Sequence, residues 1–330
     1  PNLLFRYVFI LQTHSRGKGI NLVFLGDGFN AENISNGDYL RVMNEQMERF
    51  FDIEPYRTYR DYFNVSTAIA VSQESGIGTV NTIRRTKFET TFAGGVGLRG
   101  DYSAIFDYAM KVSSVDESNL NQSLIIVTPN TIDYGGITEM WEDGSAIAFC
   151  PLSEDTYPYD ARGIIQHEAG GHGFGKLGDE YIYHNGFIEF CCPLDFATLN
   201  YGKSLGWYEN LSLTGKMHEV PWSHLIFDDR YSDVVDIYEG GFKHARGVFR
   251  SEQNSCMNNN ISYFSAISRE AIVKRIMEYA GESYSFEKFV ENDKRDAVNS
   301  LSRSAERLGV TVRGNQYAPR IHKGKPDILK

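Results

Sequence analysis

No stretch of this sequence comes near the roughly 20 consecutive apolar residues that a membrane-crossing helix needs. The most apolar N-terminal run, residues 3–11, is interrupted by Arg6 and reads as a strand. Positive charge is also in short supply. Against 43 Asp and Glu there are 33 Lys and Arg, giving a formal charge of −10, and no basic run of the kind that tracks phosphates is present. Nucleic acid is therefore not an expected partner. Cysteine is scarce: four occur in 330 residues, none at zinc-cluster spacing. Cys150 and Cys256 stand apart and Cys191 adjoins Cys192, so all four are expected to be packed thiols or a disulfide rather than ligands. Internal repeats and low-complexity tracts are missing too, which removes a solenoid from consideration.

What is present suits a globular chain long enough for one large domain or two lobes. Residues 20–25, 62–71 and 123–127 read as strands from their β-branched and aromatic content. In 31–51, Tyr39, Val42, Met43, Met47 and Phe50 recur at helical spacing. Further helices are expected over 101–112, 163–173, 265–279 and 300–308, with an extended end beyond Val312. Strands alternating with helices predict an α/β (α+β) class, a mixed twisted sheet backed by helices. Gly26-Asp27-Gly28 follows the first of these strands but lacks the third glycine of a dinucleotide loop, so a strand-to-helix turn with Asn30 or Asn33 near the helix start is expected instead.

The chemistry concentrates in Gly163 to Tyr181, where His167-Glu168-Ala169-Gly170-Gly171-His172 lies one residue away from the zinc-peptidase pattern H-E-x-x-H. Two histidines five apart diverge by about 140° on a regular helix, too far to share one ion. Gly170 and Gly171 occupy the intervening turn, and glycine lowers the cost of unusual backbone angles. A π-type widening would absorb the extra residue and return both imidazoles to one side. The expanded spacing is similar to the H-E-x-x-G-H of the dipeptidyl peptidase III family. Two other readings stand beside it: on an unbroken helix Glu168 and His172 are the pair four apart, and two histidines can flank a weak helix end with no ion at all.

A catalytic zinc normally keeps three protein ligands and one open position. Gly175, three residues past His172, is where metzincin-type peptidases turn sharply toward a third ligand. Those enzymes place it six residues after the second histidine, where this chain has Gly178. Asp179 is the first candidate, Glu180 the next and His184 after it. Met257 falls in an asparagine-rich turn and can be either an apolar floor beneath a metal or a core filler.

From the second histidine onward, His172-Gly-Phe-Gly175-Lys-Leu-Gly178-Asp179-Glu180-Tyr181 resembles the bacterial IgA peptidase family of zinc metallopeptidases, whose pattern is H-E-x-x-H-x-x-G-x-x-x-D-E-Y. Residues 20–29, 62–65, 72–76, 255–259 and 268–272 extend the resemblance to roughly residues 19–280. The resemblance implies a zincin or metzincin-like catalytic domain with its active-site helix at a cleft. It assigns one Zn2+ to His167, His172 and Asp179, a catalytic role to Glu168 and a methionine turn to Met257. The expected division is an N-terminal extension (1–18), a catalytic domain (19–280) with an upper lobe to 175 and an irregular lower lobe from 176, and a C-terminal extension (281–330).

Such a site would hydrolyse protein or peptide amide bonds, with Glu168 moving the proton and Tyr181, Arg250 or Tyr263 steadying the oxyanion. Residues 143–149 are a candidate edge strand for aligning a peptide or otherwise an ordinary core strand, and 134–141 a candidate cleft lining. An alternative of a different class is a surface binding module that keeps a zincin scaffold without turnover. Hydrolysis of a non-peptide amide is a third reading. Pro1 in place of Met suggests that a leader or upstream domain has been removed. Because members of the resembling family are commonly exported, a secreted, periplasmic or surface location is expected.

Overall fold

A computed structural model describes residues 7–294 and 318–328; the helix expected over 300–308 lies outside them. The strands are β1 Val8–Gln12, β2 Ile20–Asp27, β3 Phe63–Ala68, β4 Thr91–Phe92, β5 Leu98–Arg99, β6 Leu124–Pro129, β7 Ile137–Trp141, β8 Ala146–Phe149, β9 Ile182–Phe187, β10 Leu211–Ser212, β11 Tyr238–Gly241, β12 Lys243–Arg250 and β13 Arg320–His322. A seven-stranded sheet runs β1-β3-β2-β6-β8-β7-β13. Its centre, β3-β2-β6-β8, is parallel, while β1 and β7 run antiparallel to β3 and β8.

Parallel strands covered on both faces are apolar throughout rather than alternating, and β2 is buried along its whole length. Leu22 and Phe24 point into a core shared with helices Asp38–Phe51 and Ala266–Ala280. Val23 and Leu25 point the other way, toward Ile105, Phe106 and Ala109 of helix Tyr102–Ala109. The result is a mixed sheet between helical layers. The segment that carries the histidines lies on the first face, against β6, β7 and β8.

Several expectations change in detail. The helix expected over 31–51 is two helices, Ala31–Ser35 and Asp38–Phe51, because Gly37 adopts a left-handed conformation (φ 87°) between them. Asn30 and Asn33 cap the first reciprocally, as a strand-to-helix turn requires. Asp27 is also committed to structure: its carboxylate accepts from Ser72 Oγ and from the backbone N–H groups of Phe88 and Thr90. Of the two readings of 143–149, edge or core strand, the fold adopts the interior one. β8 is paired on one side by β6 and on the other by β7, so it has no free edge to offer a peptide.

The terminal segments assigned to extensions contribute strands to the same sheet, β1 at one edge and β13 along β7. Four strands within residues 176–280 form a second sheet, in which β12 is flanked by β10, β11 and β9. Helix Ala266–Ala280 then returns to the core around Leu22 and Phe24. Among the described residues no helix is long and apolar enough to cross a membrane.

Candidate metal centre

Helix Ala161–Ile165 starts at Asp160, whose side chain accepts from Gly163 N, and continues as the π-helix Gln166–Phe174. The glycine pair sits where the wider turn demands it. The Gly170 carbonyl accepts from Gly175 N, five residues on, at 3.0 Å, and from the Tyr56 hydroxyl at 2.6 Å. A Cβ on Gly171 would stand 2.2 Å from Met257 Sδ, so no larger residue fits without displacing that side chain. With i→i+5 bonding, residues five apart fall on one side.

Both imidazoles are fixed by backbone carbonyls. His167 Nδ1–H donates to Cys256 O at 2.9 Å and His172 Nδ1–H to Leu177 O at 2.7 Å. A carbonyl only accepts, so each neutral ring carries its proton on Nδ1 and presents a bare Nε2. The two Nε2 atoms lie 3.2 Å and 3.1 Å from the same atom, Asp179 Oδ1. Three lone-pair atoms facing one another inside the protein call for a cation among them. Asp179 Oδ2 is also buried without a hydrogen-bond partner. Ligands about 2.0–2.1 Å from a tetrahedral zinc stand about 3.3 Å apart, close to the separations here, so the residues fit the ion.

The third group reaches the histidines through a reversal that glycine does not make. Gly175 is right-handed (φ −68°), and Lys176 takes the left-handed conformation (φ 53°). Gly175 is needed for proximity, since a Cβ there would meet the Gly171 carbonyl oxygen at 2.8 Å. Asn210 then clamps the segment, accepting from Gly178 N and donating to Gly178 O and Glu180 Oε1, each at 2.8 Å. The Asp179 carbonyl accepts from Phe242 N.

Glu168 faces a small cavity lined by Val96, Tyr134, Gly135, Gly136, Ile164 and Asn260. Gly136 permits this approach, because a Cβ there would be 3.0 Å from Glu168 Cγ. Burial raises the Glu168 carboxyl to about 7, against the opposing influence of His167 and of the Thr138 hydroxyl 2.8 Å from Oε2. A carboxyl poised near neutrality suits a proton carrier at neutral pH.

Of the other sequence candidates, Tyr181 and Met257 are brought to the site, whereas Glu180, His184, Arg250 and Tyr263 are not. The Tyr181 ring stacks on His167 at 6.4 Å, and its hydroxyl is buried without a partner. Glu180 turns away to accept from Ser255 Oγ and Asn210, while its N–H donates to Met257 O. His184 pairs across strands with His244 on β12. Arg250 donates to the Gly240 and Glu239 carbonyls, and Tyr263 to Glu252 Oε2. Met257 is buried, its sulfur against the π-helix between the histidines. Sequence reasoning missed Thr138, Asn210, Tyr56 and the Cys256 carbonyl. Thr138 lay in a segment expected near the cleft, and Cys256 adjoins the expected methionine turn.

Comparison with families adds the decisive observation: the model of a family described as IgA Peptidase M64 matches residues 8–194, more than half of the 330. The chain belongs to the IgA peptidase M64 family. The M64 match includes His167, Glu168, His172 and Asp179 and ends before Arg250, Met257 and Tyr263. Comparison with curated proteins gives no match. M64 membership supports a peptidase, with protein or peptide as substrate, and a metal requirement.

Proposed function

We propose that this M64 member is a zinc-dependent endopeptidase with a zincin-type centre, in which His167, His172 and Asp179 are the ligands and Glu168 is the general base and acid. The observation that carries the reading is the convergence of two bare Nε2 atoms and one carboxylate oxygen, each imidazole being fixed from behind by a carbonyl. A bound zinc would supply Lewis acidity and lower the pKa of a coordinated water to about 7.

The protein's own groups do the rest. Asp179 balances part of the positive charge, and the Cys256 and Leu177 carbonyls hold the rings in the ligating tautomer. Glu168, beside the His167 ligand and steadied by Thr138, accepts the proton of the attacking water and passes it to the departing amine. Tyr181, with its unpartnered hydroxyl near Asp179, is the donor best placed for the oxyanion. Met257 supports the π-helix as an apolar floor without ligating. The expanded histidine spacing, similar to that of dipeptidyl peptidase III, works because the π-turn undoes the divergence. A secreted, periplasmic or surface location accords with this reading, and the catalytic unit takes in the sheet strands β1 and β13 as well as residues 19–280.

Zinc content and peptide hydrolysis of the wild type and Glu168→Gln test it together. One zinc in each, with turnover only in the wild type, is the expected result. Zinc without hydrolysis in the wild type would favour the non-catalytic binding module, and a wild type that takes up no zinc would remove the centre.

A further inference from the structure

Cys191, Cys192 and His244 form a second convergence of ligand atoms, outside the M64 centre, on the surface of the smaller sheet. His244 lies 52 positions after Cys192, and the parallel pairing of β9 with β12 brings them together, with His184 directly opposite His244. Cys191 Sγ lies 3.4 Å from Cys192 Sγ and 3.5 Å from His244 Nδ1. Around a tetrahedral zinc, with Zn–S about 2.3 Å and Zn–N about 2.0–2.1 Å, the corresponding separations are about 3.8 Å and about 3.6 Å. These two separations are thus close to those of a bound ion, and all three ligand atoms lie within 4.8 Å of one another.

Two further observations point to a ligand rather than to chance proximity. His244 Nε2–H donates to Asp195 Oδ2 at 2.9 Å, and Lys243 Nζ holds the other Asp195 oxygen at 3.1 Å. A carboxylate accepting at Nε2 leaves Nδ1 bare and aims its lone pair at the thiols, the carboxylate–histidine arrangement found behind metal-ligating imidazoles. Gly186 supplies the space for the sulfur, since a Cβ there would meet Cys191 Sγ at 2.8 Å. His244 is buried, whereas Cys191 is exposed and Cys192 half-buried, so an ion can enter from solvent.

We propose that Cys191, Cys192 and His244 bind a second, thiophilic d10 cation, zinc or monovalent copper, with His184 adjacent to the open side. Two thiolates and one imidazole are a soft donor set, unlike the N2O set of the M64 centre. Because the Asp179 and Tyr181 carbonyls accept from Phe242 and Lys243, a filled site would tie down the strand that begins beside the third ligand of that centre.

Cobalt(II) added to the fully reduced protein under anaerobic conditions separates the two centres, because only the second has sulfur ligands. The expected result is a thiolate-to-cobalt absorption in the near ultraviolet that survives His167→Ala/His172→Ala and vanishes in Cys191→Ser/Cys192→Ser. Zinc and monovalent copper, each titrated against the cobalt form, should bleach that band, and the stronger competitor identifies the ion. Asp195→Asn, which removes no ligand, should weaken cobalt binding about 10- to 100-fold. The absence of the band in the reduced wild type, or its persistence in the serine double variant, overturns the proposal. If the double variant does not fold, the solvent-accessible Cys192→Ser alone must shift the band. Loss of the M64 centre leaves this result unaffected, so the two readings fail separately.

Discussion

Glu168→Gln should abolish turnover and yet stabilise the metal-free protein at neutral pH. A carboxyl raised from 4.5 to about 7 by burial represents about 3 kcal/mol of disfavoured ionisation. The unfolded chain ionises this group above 4.5, whereas the native protein keeps it protonated until about 7. Folding therefore takes up a proton between these values. The stabilising contribution is fully present below 4.5, falls as pH rises and is lost above about 7. Glutamine keeps the shape and an acceptor for Thr138, and it never ionises. The stability difference between variant and wild type should thus grow with pH across this window, reaching about 3 kcal/mol near pH 8. Urea unfolding of both proteins in the presence of a chelator, at several pH values, measures the growth directly. Peptide hydrolysis by the zinc forms should differ by at least about 100-fold to 10,000-fold, the usual weight of a general base. A stability difference that stays constant with pH would refute the claim that Glu168 is buried at a charge-averse position.

Thr138→Val removes a hydroxyl that favours the ionised Glu168, so the acid limb of the kcat/KM profile should move to higher pH; an unmoved limb would place Thr138 outside the proton path. Asn210→Ala deletes the clamp on Gly178 and leaves buried Glu180 short of a donor, so it should cost about 2–3 kcal/mol in denaturant melts and weaken zinc about 10- to 100-fold by competition with a chelator. Gly171→Ala drives a Cβ to 2.2 Å from Met257 Sδ and should destabilise by about 1–3 kcal/mol. Adding Met257→Ala should recover part of that loss, and strict additivity in the double-mutant cycle would show that the two residues do not press on each other.

The sequence carried a good deal of this architecture. Five-residue histidine spacing with a glycine pair has few physical solutions, and the π-helix is the one that puts both rings on one side. β2 and β6 were legible from their β-branched and aromatic content, and Asp101 and Asn30 cap the helices that start beside them by local hydrogen bonding. Local signals failed where the deciding contact is distant. The left-handed residue after the π-helix is Lys176 rather than Gly175, a conformation no side-chain preference announces.

Spacing and resemblance ranked Asp179 ahead of Glu180, but only the tertiary structure supplies the physical reason: Asn210 and Ser255 draw Glu180 away and leave Asp179 facing the imidazoles. It also decided that β8 is interior, because a short apolar strand reads the same at an edge and at the centre of a sheet. The two thiols and His244 meet only when β9 pairs with β12, and pairing partners depend on hydrogen bonds and packing from the whole chain. Chemistry was thus written locally in residue types and spacings, while the choice of which atoms face one another required the fold.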